Sequence, residues 1–265
     1  MRGTILDADS FDRGDLDTAA LDNALDRWTH HRSTRSHEVV DRIEGCEVVV
    51  TNKVVIDAAA MQSAALKLIV VAATGTNNID LAAAKEQGIT VCNVRDYASA
   101  AVSQHVFSLL LALVSRLGDY TQAVRAGRWQ DSKVFCLLDY PIRELDGMTL
   151  GIIGYGNLGR RVEQIAHGFG MQVLICARPG SGAIPDGRIA FDTLLESSDV
   201  ISLHCPLSAA THNLIGRAQF QKMKSTAVLI NTARGGIVNE DDLASALRRG
   251  DIGGAGIDVL TQEPP

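Results

Sequence analysis

Three glycines at a fixed spacing are the residues best suited to do chemistry in this sequence. Gly154, Gly156 and Gly159 match the pattern Gly-x-Gly-x-x-Gly, and Asn157 and Leu158 complete the loop. In such a loop the first glycine allows a tight turn, the second lets the backbone approach a pyrophosphate, and the third lets a helix pack closely on a strand. The spacing therefore predicts a dinucleotide-binding loop, with a purely structural glycine turn as the alternative.

The segments before and after the glycines have the strand and helix patterns that this function requires. Thr149 to Ile153 is a short apolar run typical of a buried strand, and residues 160–169 carry apolar side chains at helical spacing. The first turn of such a helix offers unpaired N–H groups and the positive end of its dipole to phosphates. This context favours dinucleotide binding over a structural turn.

The end of the next predicted strand, Gln172 to Cys176, bears on the choice of cofactor. Ala177 occupies the position where an acidic side chain would accept a hydrogen bond from a ribose 2′-hydroxyl, and Arg178 follows it. An arginine at this point can pair with a 2′-phosphate instead. We therefore expect NAD(P), with NADP favoured. The alternative is that Arg178 is a solvated loop residue.

Composition limits the class of protein. The chain has 265 residues, a hydrophobic content of 46% and a net charge of −6, which suit one or two globular domains and give no basic footprint for nucleic acid. No apolar run is long enough to span a bilayer, and the N-terminus has no signal-peptide pattern. The five cysteines are scattered, without a Cys-x-x-Cys pair. We expect a cytoplasmic protein with reduced thiols and without a metal, membrane or nucleic-acid partner.

Strands and helices alternate along the chain, which predicts an α/β fold with parallel sheets covered by helices on both faces. Ligands of such sheets bind beyond the carboxyl ends of the strands. His204, Arg234 and Glu263 each follow a predicted strand. We therefore expect these three side chains to converge on one crevice.

A long apolar helix is predicted from Ser99 to Leu117, and a less regular stretch from Asp119 to Asp146 follows it. The apolar stripe of the helix is wider than one domain face needs. Long irregular stretches inside a compact domain are usually functional or interface segments. We expect a homodimer contact here, and packing within one subunit is the alternative.

Several longer motifs make the chain similar to the D-isomer-specific 2-hydroxyacid dehydrogenases over nearly its whole length. They are the glycine loop, Val71 to Asp80, Val200 to Leu207, Leu229 to Gly236, and Gly254 to Val259 with Glu263-Pro264. Leu6 to Asp9 and Thr51 to Lys53 most resemble the glycerate dehydrogenase or hydroxypyruvate reductase branch.

This resemblance implies two doubly wound parallel-sheet domains with a cleft between them. Residues 1–97 would form a flavodoxin-like substrate domain, without its usual C-terminal return, and residues 98–265 an NAD(P)-binding Rossmann domain. The implied reaction is hydride transfer between NAD(P)H and a small 2-keto or 2-hydroxy acid. The candidate pairs are hydroxypyruvate with glycerate and glyoxylate with glycolate.

The resemblance also implies roles for single residues. Arg234 would be catalytic and would clamp the substrate carboxylate and keto oxygen, while the backbone N–H groups of Thr74 and Gly75 would hold the other side of the carboxylate. Asp258 would bind the nicotinamide carboxamide, and Glu263 would be catalytic by holding a histidine that acts as general acid and base. The cofactor site would further be lined by His204, Pro206, Thr211, Thr232 and Ala233.

The chain departs from the family at this histidine. The family carries it in a Pro-His motif beyond the glutamate, whereas this sequence ends at Pro265. Alternatives therefore stay open: Glu263 as a solvated residue, Asp258 as a strand-end bridge, and Arg234 as a surface arginine. A second function stays open too, namely a catalytically impaired or inactive truncated homologue that acts as a nucleotide-binding protein.

Overall fold

The computed structural model describes residues 1–62, 65–180, 182 and 184–265. The chain divides into two compact units, Met1–Tyr97 and Ala98–Pro265. Each unit is built on a five-stranded sheet whose neighbouring strands all run parallel. The predicted α/β class with two parallel sheets is confirmed.

The first unit alternates strands with short helices. Its elements are β1 (Arg2–Ile5), α1 (Ala19–Asp22), β2 (Arg27–His30), α2 (Val39–Ile43), β3 (Val48–Thr51), α3 (Ala58–Gln62), β4 (Leu68–Val71), α4 (Leu81–Glu86) and β5 (Thr90–Asn93). The strand order is β2-β1-β3-β4-β5. All four residues of β3 are buried, as expected for a central strand that is covered by helices on both faces.

The second unit has the longer helices. Its elements are α5 (Ser99–Val114), α6 (Leu117–Arg125), β6 (Thr149–Ile153), α7 (Asn157–Gly168), β7 (Gln172–Ile175), α8 (Phe191–Ser197), β8 (Val200–Leu203), α9 (Arg217–Phe220), β9 (Val228–Asn231), α10 (Glu240–Arg249) and β10 (Gly254–Ile257). The strand order is β10-β9-β8-β6-β7. The chain moves to one side of β6 to form β7 and then to the other side to form β8, so a topological switch point lies between β6 and β8.

The sheet of the second unit is packed on both faces. Ile153, Ile201 and Leu229 are fully buried in one hydrophobic cluster, while their strand neighbours Ile152 and Val200 belong to another. Successive side chains of a strand point to opposite faces, so the two clusters are the two covered faces of one sheet. This packing holds the carboxyl ends of β6 and β8 side by side.

The prediction for the segment after Ser99 is corrected in two respects. The helix α5 ends at Val114, and Arg116 adopts a left-handed backbone conformation with φ of 53°. A second helix, α6, then runs from Leu117 to Arg125, so the first residues of the stretch from Asp119 that was expected to be irregular are helical. The irregular part is therefore confined to residues 126–148.

No single helix in the described part of the chain has the length and apolar composition needed to cross a bilayer. The helices α5 and α6 meet that criterion only when they are taken together, across a 59° bend.

Candidate functional site

The glycine loop joins β6 to α7 at the switch point, and two of its glycines are required by packing. Gly154 has φ of +94°, and a Cβ there would lie 2.4 Å from the backbone nitrogen of Cys205. A Cβ on Gly159 would lie 2.5 Å from the carbonyl oxygen of Gly154. A side chain at either position would therefore displace backbone.

Gly156 differs from its two neighbours in the motif. It precedes the first residue of α7 with φ of −88°, and a Cβ there would meet nothing within 4 Å. The backbone therefore borders open space at the N-terminus of a twelve-residue helix. Unpaired N–H groups and the helix dipole favour an anion at that place, so this loop fits a pyrophosphate.

The first two helical residues of the predicted site have structural contacts as well. Asn157 accepts a hydrogen bond from Arg160 Nη2 through its Oδ1 at 2.7 Å. Leu158 packs against the hydrophobic cluster beneath α5 and α7. These contacts hold the first turn of α7 against the sheet.

A cavity of about 590 Å³ opens beside the glycine loop, entirely within the second unit. It is lined by Gly154, Tyr155, Cys176, Ala177, Arg178, Pro179, Pro185, Arg188, Cys205, Pro206, Ser208, Ala210 and Thr211. The predicted residues Arg178, Pro206 and Thr211 therefore line the same cavity as the glycine loop. The volume is in the range of small-molecule and cofactor sites.

The cavity is positively charged. Arg178 is exposed and Arg188 is half-buried, and no described residue of the lining is acidic. Burial raises the pKa of the Cys176 thiol to about 11, and burial also raises the pKa of Cys205. Both thiols are neutral near pH 7, so the two arginines set the charge and the cavity suits an anionic ligand.

His204 and Thr232 place polar atoms at the ends of β8 and β9. His204 Nε2 lies 2.9 Å from Ser202 Oγ, and burial lowers the pKa of His204 to about 4, so the ring is neutral at pH 7. His204 Nδ1 and Thr232 Oγ1 are buried and find no hydrogen-bond partner among the described residues. Buried polar atoms are rarely left unpaired, so these two are candidates for ligand contacts.

Arg234 lies in a tightly fixed loop after β9. Its carbonyl oxygen accepts from Asn231 Nδ2 at 2.9 Å, and Asn231 Oδ1 accepts from the Ala233 N–H at 3.1 Å. Its own Nη1 donates to the carbonyl of Ala233 at 2.6 Å. A Cβ on Gly235 would lie 1.9 Å from the carbonyl oxygen of Leu260, so the loop packs directly on the chain after β10. The half-buried guanidinium is thereby held near the strand end.

Two acidic residues of the predicted site have partners in the second unit. Asp258 Oδ1 lies 3.1 Å from His105 Nε2 of α5. Glu263 Oε1 accepts a hydrogen bond from the Leu260 N–H at 2.8 Å. Asp258 is thus tied to a helix, whereas Glu263 closes a turn of its own loop.

Thr74 and Gly75 belong to the first unit, where they follow β4. The Thr74 carbonyl accepts from Asn93 Nδ2 at 2.7 Å, which ties this loop to the end of β5. They lie beyond the carboxyl end of a parallel strand, the place where ligands of parallel sheets bind.

No cluster of side chains suited to hold a metal ion occurs within the described ranges. Arg188 is among the cavity-lining residues that the sequence did not predict. No motif marks it, and its position becomes apparent only from the pairing of residue 189 with the end of β7.

A parallel sheet with a glycine loop and a basic cavity at its switch point defines the class of dinucleotide-binding α/β proteins. Residues 107–265 match the family model described as D-isomer specific 2-hydroxyacid dehydrogenase, NAD binding domain. This chain belongs to the D-isomer-specific 2-hydroxyacid dehydrogenase family, a family of enzymes that use a nicotinamide cofactor.

Similar proteins agree with this membership. The chain is 48% identical over 258 residues to the glycerate dehydrogenase of Methylorubrum extorquens, covering 96% of this chain and 81% of that protein. It is 36% identical over 270 residues to the hydroxypyruvate reductase of Blautia hydrogenotrophica, covering 100% and 84%. A solved acyclic imino acid reductase in complex with NADPH and D-Arg has a TM-score of 0.86 at 27% identity, covering 99% and 84%. The predicted family and branch are confirmed.

Proposed function

We propose that this protein reduces small 2-keto acids with NAD(P)H, with hydroxypyruvate and glyoxylate as the leading substrates. The observation that carries the proposal is the basic cavity beside the glycine loop at the switch point of the second sheet. The nicotinamide cofactor, when bound, supplies the hydride that reduces the keto carbon.

The residues of the second unit fit such a cofactor. The open space at Gly156 and the N-terminus of α7 suit its pyrophosphate. His204 Nδ1 and Thr232 Oγ1, which lack partners among the described residues, suit its polar groups. For Asp258 we propose that its carboxylate accepts from the nicotinamide carboxamide while His105 holds the side chain in place.

For the substrate we propose a carboxylate clamp. The planar guanidinium of Arg234 can donate two parallel hydrogen bonds to a carboxylate and the adjacent keto oxygen. For Thr74 and Gly75 we propose a substrate-binding role, in which their backbone N–H groups donate to a carboxylate oxygen. For Glu263 we propose that it orients the group that delivers the proton to the developing alkoxide. A positioned general acid of this kind typically contributes about 10²–10⁴-fold to the rate.

We further propose that NADP is preferred over NAD. Arg178 lines the cavity, and the residue before it is Ala177 rather than an acid. A charge-assisted contact to a 2′-phosphate contributes on the order of 1.5–3 kcal/mol.

Arg178→Ala should weaken the binding of NADPH about tenfold or more in a fluorescence titration and leave the binding of NADH nearly unchanged. Arg248→Ala, at an exposed position on α10, is the matched control. Equal losses for both cofactors would contradict the preference.

Activity is tested by following NADPH and NADH oxidation with hydroxypyruvate and with glyoxylate. We expect turnover that falls at least about 100-fold in Arg234→Lys, because a lysine cannot form the bidentate clamp. Cofactor binding without turnover of either acid would contradict a reductase. That outcome would instead favour the second candidate, a nucleotide-binding protein without catalysis, for which the engagement of Glu263 with its own loop is the supporting observation.

We also propose a homodimer that uses α5, α6 and the irregular residues 126–148. Phe135 and Leu138 of this segment are 90% and 84% exposed, and Trp129 is 55% exposed. Clustered exposed apolar side chains mark protein interfaces, and twofold symmetry is their commonest form.

The cytoplasmic location expected from the sequence stays a prediction.

A further inference from the structure

Arg188 is fixed beside the chain that carries Arg178. The Ala177 N–H donates to the carbonyl of Ile189 at 2.8 Å, and the Ile189 N–H donates to the carbonyl of Ile175 at 3.0 Å. These two bonds continue the parallel pairing of β7 beyond its last residue, with Cys176 opposite Ile189. The backbone of Arg188 is therefore held at the cavity wall, and its side chain starts next to the end of β7.

An aromatic ring holds the Arg188 side chain. Its guanidinium carbon lies 4.4 Å from the centroid of the Tyr155 ring, well inside the ~6 Å range of a cation–π contact. The Tyr155 hydroxyl donates to the carboxylate of Glu163 on α7, so the ring itself is anchored at its far end. Both Tyr155 and Arg188 are half-buried, and both line the cavity.

The charge of Arg188 is directed at the cavity and is not neutralised by a partner. No carboxylate within the described residues forms an ion pair with it. Burial and the neighbouring Cys205 raise the pKa of the cavity-lining Cys176, and the positive charge of Arg188 acts on that thiol in the opposite direction. A guanidinium held over an aromatic ring by a cation–π contact keeps N–H donors available for a phosphate.

Arg178 and Arg188 differ in their exposure to solvent. Arg178 is exposed, whereas Arg188 is half-buried. Arg188 is held beforehand by Tyr155 and by the pairing of its backbone with β7. A cation that is held before binding loses less side-chain freedom when it contacts a phosphate.

We infer that Arg188 binds the 2′-phosphate of NADP together with Arg178, and that Tyr155 is the positioning residue that holds Arg188 in place. The inference rests on the proposed function, because it needs a nicotinamide dinucleotide in this cavity. The competing role for Arg188 is stacking on the adenine, which NADP and NAD share. A phosphate contact affects one cofactor, whereas adenine stacking affects both.

The experiment is a set of binding titrations with NADPH, NADH, 2′,5′-ADP and 5′-AMP, which need no turnover. For Arg188→Ala we expect dissociation constants about 10-fold to 100-fold higher for NADPH and 2′,5′-ADP, with NADH and 5′-AMP changed less than about threefold. Arg161→Ala, at an exposed position of α7, is the matched control. Equal losses for phosphorylated and unphosphorylated ligands would overturn the inference in favour of adenine stacking.

The role of Tyr155 is tested by two variants. Tyr155→Phe keeps the ring and should keep the ratio of NADH to NADPH dissociation constants within about threefold of the wild type. Tyr155→Leu removes the ring, whose centroid also lies 5.8 Å from the guanidinium carbon of Arg160, and should lower that ratio. Tyr155→Leu with Arg188→Ala should lower it no further than Arg188→Ala alone, since Tyr155 is proposed to act on the ratio through Arg188. An unchanged ratio in Tyr155→Leu would overturn the positioning role.

The outcomes separate this inference from the proposed function. If the wild type binds neither NADPH nor NADH, the proposed function fails, and the inference fails with it. If Arg178→Ala loses NADPH selectively while Arg188→Ala binds like the wild type, the proposed function stands and the inference is overturned. Thermal unfolding of each variant shows that the compared proteins are folded.

Discussion

The buried ring of His204 links the stability of the second unit to pH. Its pKa is lowered to about 4 by burial, against about 6.5 in an unfolded chain. Between these values the unfolded chain binds more protons than the folded one, so a fall in pH favours unfolding. The stabilisation is complete above about pH 6.5 and is lost as the pH falls towards 4, with an upper limit of ~3 kcal/mol.

His204→Asn removes this titration. We expect the free energy of unfolding of the wild type to fall more steeply between pH 6.5 and pH 4 than that of the variant, because carboxylate titrations are common to both proteins. Urea unfolding at several pH values measures the two slopes. Parallel slopes would show that burial does not hold the ring neutral in the folded chain.

Gly156 separates the requirements of binding from those of folding. Its φ of −88° suits any residue, and a Cβ would meet nothing within 4 Å. Gly156→Ala should lower the free energy of unfolding by no more than about 1 kcal/mol, because alanine is a poorer helix N-cap than glycine. It should weaken cofactor binding by about tenfold or more, because a methyl group would occupy the approach to the helix N-terminus. Cofactor titration and thermal unfolding together check both parts.

Gly168→Ala is the matched control on the same helix. Gly168 is exposed near the end of α7, and a Cβ there also meets nothing within 4 Å. This change should raise the free energy of unfolding by up to ~1 kcal/mol, because alanine loses less backbone freedom in a helix. It should leave cofactor binding unaltered. If both variants bind the cofactor like the wild type, Gly156 does not border the phosphates.

At the residue level, local patterns allowed part of the candidate site to be predicted. Arg178 follows a recognisable strand, and Thr211 was named from the resemblance to the family, and both lie at one cavity. Their roles stay predictions. Arg188 could not be named, because its place depends on the pairing of Ile189 with β7 and on the ring of Tyr155. Neither contact has a signature in the local sequence.

At the scale of the elements, Asp80, the last residue of the motif Val71 to Asp80, caps the helix α4. The side chain of Asp80 accepts from the N–H groups of Ala82 and Ala83 at 3.1 and 3.0 Å, which caps the helix. Asp80→Ala should lower the free energy of unfolding by about 1 kcal/mol, whereas Asp80→Asn should keep most of the stability, because asparagine is also a good cap. Urea unfolding compares the three proteins, and equal midpoints for Asp80→Ala and the wild type would contradict a capping role.

Element boundaries were predictable where a strong local signal exists. The bounds predicted for β6, Thr149 to Ile153, are those of the structure, because glycines follow the apolar run directly. The end of α5 was not predictable in this way. Arg116 turns the chain in a left-handed conformation that glycine or asparagine usually signals, and it is paired with Asp119 at 2.7 Å. The apolar pattern of α5 continues to Leu117, so the pattern does not indicate that the helix ends at Val114.

At the scale of the whole molecule, the exposed apolar side chains of residues 126–148 predict self-association. Phe135→Asp combined with Leu138→Asp should convert a dimer to a monomer, because a charge cannot be buried unpaired in an apolar interface. Light scattering at micromolar concentration gives the mass. Val55→Asp, at a 60% exposed apolar position of the first unit, is the matched control and should keep the wild-type mass. A monomeric wild type would contradict the proposed dimer.

The parallel pairing of both sheets has a consequence for how the chain folds. Parallel neighbours cannot be joined by a tight hairpin, so β8 reaches β6 only after β7 and two helices have been made. Such distant pairings slow folding and leave apolar strands uncovered for longer, which exposes the chain to aggregation during synthesis. Because residues 1–97 carry the five strands of the first sheet, that sheet can begin to assemble on the ribosome while the second unit is still being translated.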